Sequence, residues 1–155
     1  MRSNPEIIEL LNDVLSAELT AVNQYFIHAK MCGDWGYAAL HDHTRAESID
    51  EMRHAEAIIE RVLYFDSVPN LQRLFPLRIG ETVKEQFTND LELEYAAVER
   101  LNAGIAKAVE LGDNGTRAML EGILTSEEEH IDWLETQLEV MGRLGDSAYL
   151  AEKLG

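Results

Sequence analysis

The sequence predicts an all-α protein: a four-helix bundle with a long crossover between helices two and three and a short fifth helix at the C-terminus. Three observations carry this prediction. Apolar residues recur at helical spacing along four stretches of roughly 25 residues, and no stretch shows the alternation of a strand. Glycine and proline are sparse, at 10 and 3 of 155 residues. The two close prolines fall in one segment, the middle connection.

Each element has its own signals. "SNPE" opens helix one, with Asn4 as the cap and Pro5 in the first turn. No breaker follows until Met31, and Ile7, Leu11, Val14, Leu15, Ala21, Val22 and Tyr25 keep helical spacing. "CGDWG" interrupts the pattern at Gly33 and Gly36, and helix two runs from there to about Phe65. "DSVPNLQRLFPLRIGE" holds two prolines and a glycine and predicts an extended crossover longer than a tight helix connection. Such a crossover returns the chain to the other end of the bundle, so helices two and three run parallel. Helix three spans about Thr82 to Leu111, "GDNG" makes a turn, and helix four spans about Thr116 to Met141. "SAYLAEKLG" forms the fifth helix, and residues 1–155 are expected to make one domain.

Bulk properties narrow the function. Thirteen basic residues face 29 acidic ones, a net charge of −16. That excludes nucleic acid, whose phosphates need a basic footprint, and favours a field that concentrates cations. No 20-residue window is free of charge, so no membrane span is predicted. "MRSNPEIIEL" lacks the design of a signal peptide, and the single Cys32 has no internal disulfide partner. A cytoplasmic location is expected.

The chemistry lies in an internal repeat. Only two of the five histidines have a glutamate three residues earlier, Glu51 with His54 and Glu127 with His130. One such pair in a glutamate-rich chain means little. Both members, however, recur at a shift of 76 residues, and the same shift carries "ELTAV" at 18–22 onto "EYAAV" at 94–98. Glu18, Glu51 and His54 therefore repeat as Glu94, Glu127 and His130, as if one helical hairpin had been copied.

Glu18 and Glu94 sit within the inward apolar stripes of their helices. Four buried carboxylates without cations would repel one another and lose hydration. Two divalent metals cancel that charge, each gaining an imidazole, a terminal carboxylate and bridging carboxylates. A mixed Glu/His set suits iron or manganese. Two lone glutamates with two Glu-x-x-His pairs are the ligand set of di-iron and di-manganese helical bundles. Tyr25 lies seven residues after Glu18, on the same face; it either bonds a ligand or supplies an electron, or packs in the core. Asp50 and Glu47 are expected to face elsewhere on helix two.

Met52 is rotated about 100° from Glu51, off the metal face. Leu19, Phe26 and Ile49 lie towards that side, so it either packs at an interface or ligates a haem axially. Helix one also carries more apolar residues (Leu19, Phe26, Ile27) than one bundle stripe needs, which predicts burial against another subunit.

"LTAVNQYFIHAKM", "ESIDEMRHAE", "VPNLQRL" and "EEEHIDWLETQLE" resemble the bacterioferritins, and the similarity runs over nearly the whole chain. That resemblance implies a hollow 24-subunit shell built of dimers, storing iron as a ferric mineral. It implies a ferroxidase centre of two iron ions per subunit, held by Glu18, Glu51, His54, Glu94, Glu127 and His130, with O2 or H2O2 as oxidant. It also implies haem b shared between two subunits, with Met52 as axial ligand from each. A bacterioferritin-associated ferredoxin would then dock near Val68, Asn70, Leu71 and Glu81 to drive iron release. Some positions depart from patterns of the family. Ala46 stands where a histidine often accompanies Asp50 at an inner-surface iron site, and Ala148 and Ala151 stand where some members line the fourfold channel with polar residues. Two rival functions are a di-iron oxidoreductase or peroxidase without storage, and a haem electron-transfer protein. The lone cysteine argues against a rubrerythrin-like version of the first.

Overall fold

The structure, a computed structural model, describes residues 4–155. Five helices follow one another: α1 (Pro5–Asp34), α2 (Ala38–Tyr64), α3 (Val83–Glu110), α4 (Asn114–Leu144) and α5 (Asp146–Ala151). No strand occurs among the described residues. The Asn4 side chain accepts from the Glu6 N–H at 2.8 Å, and Pro5 occupies the first helical position, where its missing N–H costs nothing.

Boundaries differ from the sequence expectation where glycine does not break the helix. α1 continues past Met31 through Gly33, whose missing side chain leaves room for His41: a Cβ there would lie 3.1 Å from the imidazole. The chain reverses at Gly36, in the left-handed region at φ +92°. α4 starts at Asn114 because Asp113 caps it, accepting from the Thr116 N–H at 3.1 Å. It then runs through Gly142 to stop at Gly145 (φ +85°), leaving α5 only six residues.

α1 packs along α2 and α3 along α4, and the two hairpins meet through α1 against α3 and α2 against α4. The crossover is tied to α1 by a ladder of bonds. Backbone N–H groups of Asn70, Phe75, Arg78 and Gly80 donate in turn to Asn12 Oδ1, Thr20 Oγ1, Gln24 Oε1 and His28 Nε2 at 2.9, 2.9, 3.1 and 3.0 Å. Acceptors advancing from residue 12 to 28 span about 24 Å of helix. The crossover thus climbs α1 from one end of the bundle to the other, so α3 starts level with α2 and runs parallel to it.

Two apolar clusters fill the interior. One joins Leu11, Leu15, Ile58, Val62, Leu101 and Leu120. The other joins Cys32, Leu40, Phe87, Leu134, Met141 and Tyr149, with α5 supplying the last. On every long helix the predicted ligands lie between the two. The bundle is apolar above and below, with a buried polar belt across its middle.

Candidate metal centre

That belt brings all six predicted residues together. Two groups of ligand atoms, each mutually within 4.8 Å, are Glu18, Glu51, His54, Glu127 and Glu51, Glu94, Glu127, His130. They share Glu51 and Glu127. The geometry therefore offers two adjacent cation positions, with two carboxylates common to both and one carboxylate plus one imidazole private to each.

Both imidazoles present Nδ1 to the carboxylates. His54 Nδ1 is 3.4, 3.3 and 3.3 Å from Glu18, Glu51 and Glu127 oxygens. His130 Nδ1 is 3.1, 3.6 and 3.5 Å from those of Glu51, Glu94 and Glu127. The four glutamates are essentially inaccessible, none above 1 % exposed. Yet Glu18 Oε1, Glu51 Oε1, Glu94 Oε2, both oxygens of Glu127 and His130 Nδ1 have no hydrogen-bond partner. Unpaired buried carboxylate oxygens cost free energy, so native proteins seldom keep them without an unstated partner. Five such oxygens and one imidazole nitrogen converging on one space fit a pair of divalent cations.

Electrostatics point the same way. Burial, reinforced by Glu18, holds the Glu51 carboxyl well above the usual range, and burial with Glu127 pushes Glu94 to about 8. Burial alone would lower both imidazoles, but Glu127 and Glu18 raise His54 to about 9, and Glu94 and Glu47 raise His130 to about 10. Without cations the belt recruits protons in their place.

Tyr25 bonds a ligand: its hydroxyl donates to Glu94 Oε1, and its ring meets His130 edge-on with centroids 6.3 Å apart. Burial and Glu94 raise its pKa well above the phenol value, so it stays a donor. Glu47 corrects the sequence expectation, because it faces inward. It is buried, accepts from His43 Nε2 at 2.7 Å, and contributes to raising His130. Burial raises its own pKa, against the opposing pull of His43. Asp50 is half-exposed but also approaches the centre, with Oδ2 3.5 Å from His130 Nε2. The sequence held a usable signal for Glu47: it lies four residues before Glu51, one turn along the same face.

A second polar cluster escaped the sequence reading altogether. His28 Nδ1 lies 2.9 Å from Asp90 Oδ1, which also accepts from Gln24 Nε2 at 2.8 Å, all three buried. Since His28 Nε2 accepts from the Gly80 N–H, the Nδ1 must be the donor to Asp90. This network anchors the end of the crossover and stands one turn from Glu94. Met52 on α2 is 49 % exposed and so lies outside the buried belt, and Phe26 on α1 is half-exposed too.

A helical bundle with a buried pair of sites sharing two glutamates defines a ferritin-like class of protein, and the comparisons agree. The family model described as "Ferritin-like domain" matches residues 8–144. A bacterioferritin of Mycolicibacterium paratuberculosis is 53 % identical, covering 98 % of this chain and 96 % of its own length. One from Streptomyces coelicolor is 50 % identical over 97 % of this chain and 90 % of its own. The solved Mycobacterium tuberculosis bacterioferritin BfrA superposes with a TM-score of 0.98 at 51 % identity, covering 100 % of this chain and 98 % of that one. A second solved mycobacterial bacterioferritin gives 0.99 at 52 %, covering 100 % and 96 %. The chain belongs to the bacterioferritin family.

Proposed function

We propose that this chain, as a single ferritin-like domain, oxidises Fe(II) to Fe(III) and stores the product inside a 24-subunit shell. The observation that carries the reading is the pair of four-residue ligand groups sharing Glu51 and Glu127. Glu51 and Glu127 bridge two ferrous ions, Glu18 with His54 completes one site, and Glu94 with His130 completes the other. Both irons are substrate, each giving up one electron. Those two electrons reduce O2, with two protons, to H2O2, or H2O2, with two protons, to two waters.

The chain's residues do three things in that reaction. They neutralise: four carboxylates balance the four positive charges of two ferrous ions. They release protons, since Glu51, Glu94, His54 and His130 hold protons that metal displaces. They orient: the Tyr25 hydroxyl fixes one oxygen of Glu94 and leaves the other, Oε2, open. Iron reaches the pair past half-exposed Asp50, and His130 beside it is the mobile ligand.

The exposed Met52 fits the haem ligand, one from each of two subunits, with haem b supplying electron transfer when bound. Val68, 85 % exposed, and exposed Asn70, Leu71 and Glu81 form the docking face for a small ferredoxin. We place the chain in the cytoplasm; among the described residues no helix is long and apolar enough to cross a membrane.

Aerobic ferrous titration, followed by absorbance and particle mass, tests the proposal. Glu127→Ala and His54→Ala should lose rapid oxidation and still assemble. Normal oxidation kinetics in both variants would overturn the ligand assignment. A particle of dimer size with normal oxidation would favour a di-iron oxidoreductase without storage.

A further inference from the structure

A half-open cleft of about 240 Å³ lies between α1, the crossover and α3, on the outer side of the α1–α3 seam. Ala17, Leu93 and Ala96 make an apolar floor, Phe75 forms a wall, and Arg78 and Arg100 stand at the rim. The other polar groups there are already engaged. Thr20 Oγ1 donates to the Ser16 carbonyl and accepts from Phe75 N–H, while Gln24 bonds Asp90 and the Arg78 N–H. Recognition is left to the two guanidiniums.

They differ. Arg78 pairs with Glu92 at the cleft edge. Arg100 lies over the Phe75 ring, 4.8 Å from its centroid, and no described carboxylate comes within ion-pair distance of it. Arg100 also borders a neighbouring shallow cleft with Glu6, Glu9 and Asp13, none of which forms an ion pair with it, and Asp13 is taken by Arg73 at 2.8 Å. In a chain with 29 acids to 13 bases, a half-buried arginine that forms no ion pair keeps its charge available to a ligand. Stacking uses the face of the guanidinium and leaves its edge N–H groups free for a planar oxyanion.

We propose that this cleft binds a small organic anion, a carboxylate on a flat apolar body. The carboxylate takes the edges of Arg100 and Arg78, and the body lies on Ala17, Leu93 and Ala96 beside Phe75. The volume falls below the roughly 300 Å³ where drug-sized pockets begin, which restricts the body to about one ring. The crossover bonds hold the wall in place before any ligand arrives, so little ordering cost opposes binding. The site stands apart from the metal pair and does not depend on it.

Calorimetric titration of the purified, assembled protein with benzoate tests this, alongside inorganic phosphate (charge without the body) and benzyl alcohol (body without the charge). Benzoate should saturate one site per subunit, with phosphate and benzyl alcohol each weaker by about tenfold or more, a difference of about 1.4 kcal/mol. Arg100→Gln should weaken benzoate by about tenfold or more. Ala96→Leu, which fills the floor and keeps both charges, should do the same, whereas Arg45→Gln at an exposed site should change nothing. Helix content and ferrous oxidation should remain those of the parent in all three. Absence of saturation, benzoate binding undiminished in Arg100→Gln or Ala96→Leu, or phosphate binding as tightly as benzoate would each overturn the proposal.

Discussion

Single side chains in the belt serve stability as well as metal affinity. Glu127 is the sharpest instance, with both oxygens buried and without a hydrogen bond. Without metal the belt holds protons, and Glu127 is one of the carboxylates that keep both imidazoles charged, so Glu127→Gln should cost the metal-free protein about 1–3 kcal/mol. At roughly 2–4 °C per kcal/mol for a chain of this size, the midpoint should fall by about 2–12 °C. The same variant should lose the extra stabilisation that Co(II) gives the parent, and melts with and without Co(II) check both halves. Tyr25→Phe acts differently. It removes a donor to an ionised ligand, worth about 1.5–3 kcal/mol. Two Co(II) should still bind, the weaker one by about 10- to 100-fold less tightly. The raised groups fix a pH dependence. Glu94 (about 8), His54 (about 9) and His130 (about 10) all exceed their unfolded values of 4.5 and 6.5, so the native state holds more protons than the unfolded chain. Stability of the metal-free protein is greatest below these windows. It should fall as pH rises from about 5 towards 10, and urea titrations at several pH values would measure the slope. A slope of the opposite sign would show that the belt does not hold these protons.

Among the elements, the repeated hairpin explains both what the sequence disclosed and what it concealed. The shift of 76 residues carries every proposed ligand onto its counterpart, so the six were legible without any structure. Around the ligands the copy breaks down. Tyr25 maps onto Leu101 and Glu47 onto Ile123, both buried apolar residues of the core. Hence only the Glu94/His130 end has a phenol and an extra carboxylate beside it, and no periodicity could reveal that inequivalence. Glu47 escaped because a lone helical acid is usually solvated, while its burial depends on His43 and on α4 across the bundle. The His28–Asp90–Gln24 cluster escaped because its members lie more than 60 residues apart. The crossover was legible in its prolines, but its attachment to α1 was not. Gly80 shows how tight that attachment is, since an added Cβ would sit 2.4 Å from the Gln86 backbone nitrogen. Gly80→Ala should therefore cost about 1–3 kcal/mol by overpacking. Amide exchange should accelerate selectively along residues 68–80, leaving the α1–α2 hairpin protected.

At the scale of the whole molecule, the outer faces of α1 and α2 and the crossover expose what a lone bundle would hide. Phe26, Ile27, Met52, Leu71, Leu74 and Leu77 all lie open on a subunit carrying −16 charges. Burial of that apolar surface must outweigh repulsion between like-charged copies, and salt screens the repulsion within about 10 Å at 0.1 M. Assembly should thus strengthen with ionic strength, and light scattering should find particles far above the 17.5 kDa subunit. Phe26→Glu places a new charge in the apolar face and should shift the mass towards the subunit, most strongly at low salt. Met52→Leu separates the two roles given to the turn that holds Glu51 and His54. Leucine keeps the apolar volume but offers no sulfur, so the particle mass and the rate of ferrous oxidation should stay those of the parent. Haem absorbance per subunit should vanish. Glu51 and His54 reach the buried pair while Met52 points outward, so a variant that lost haem and oxidation together would contradict this division of one helical turn between two faces.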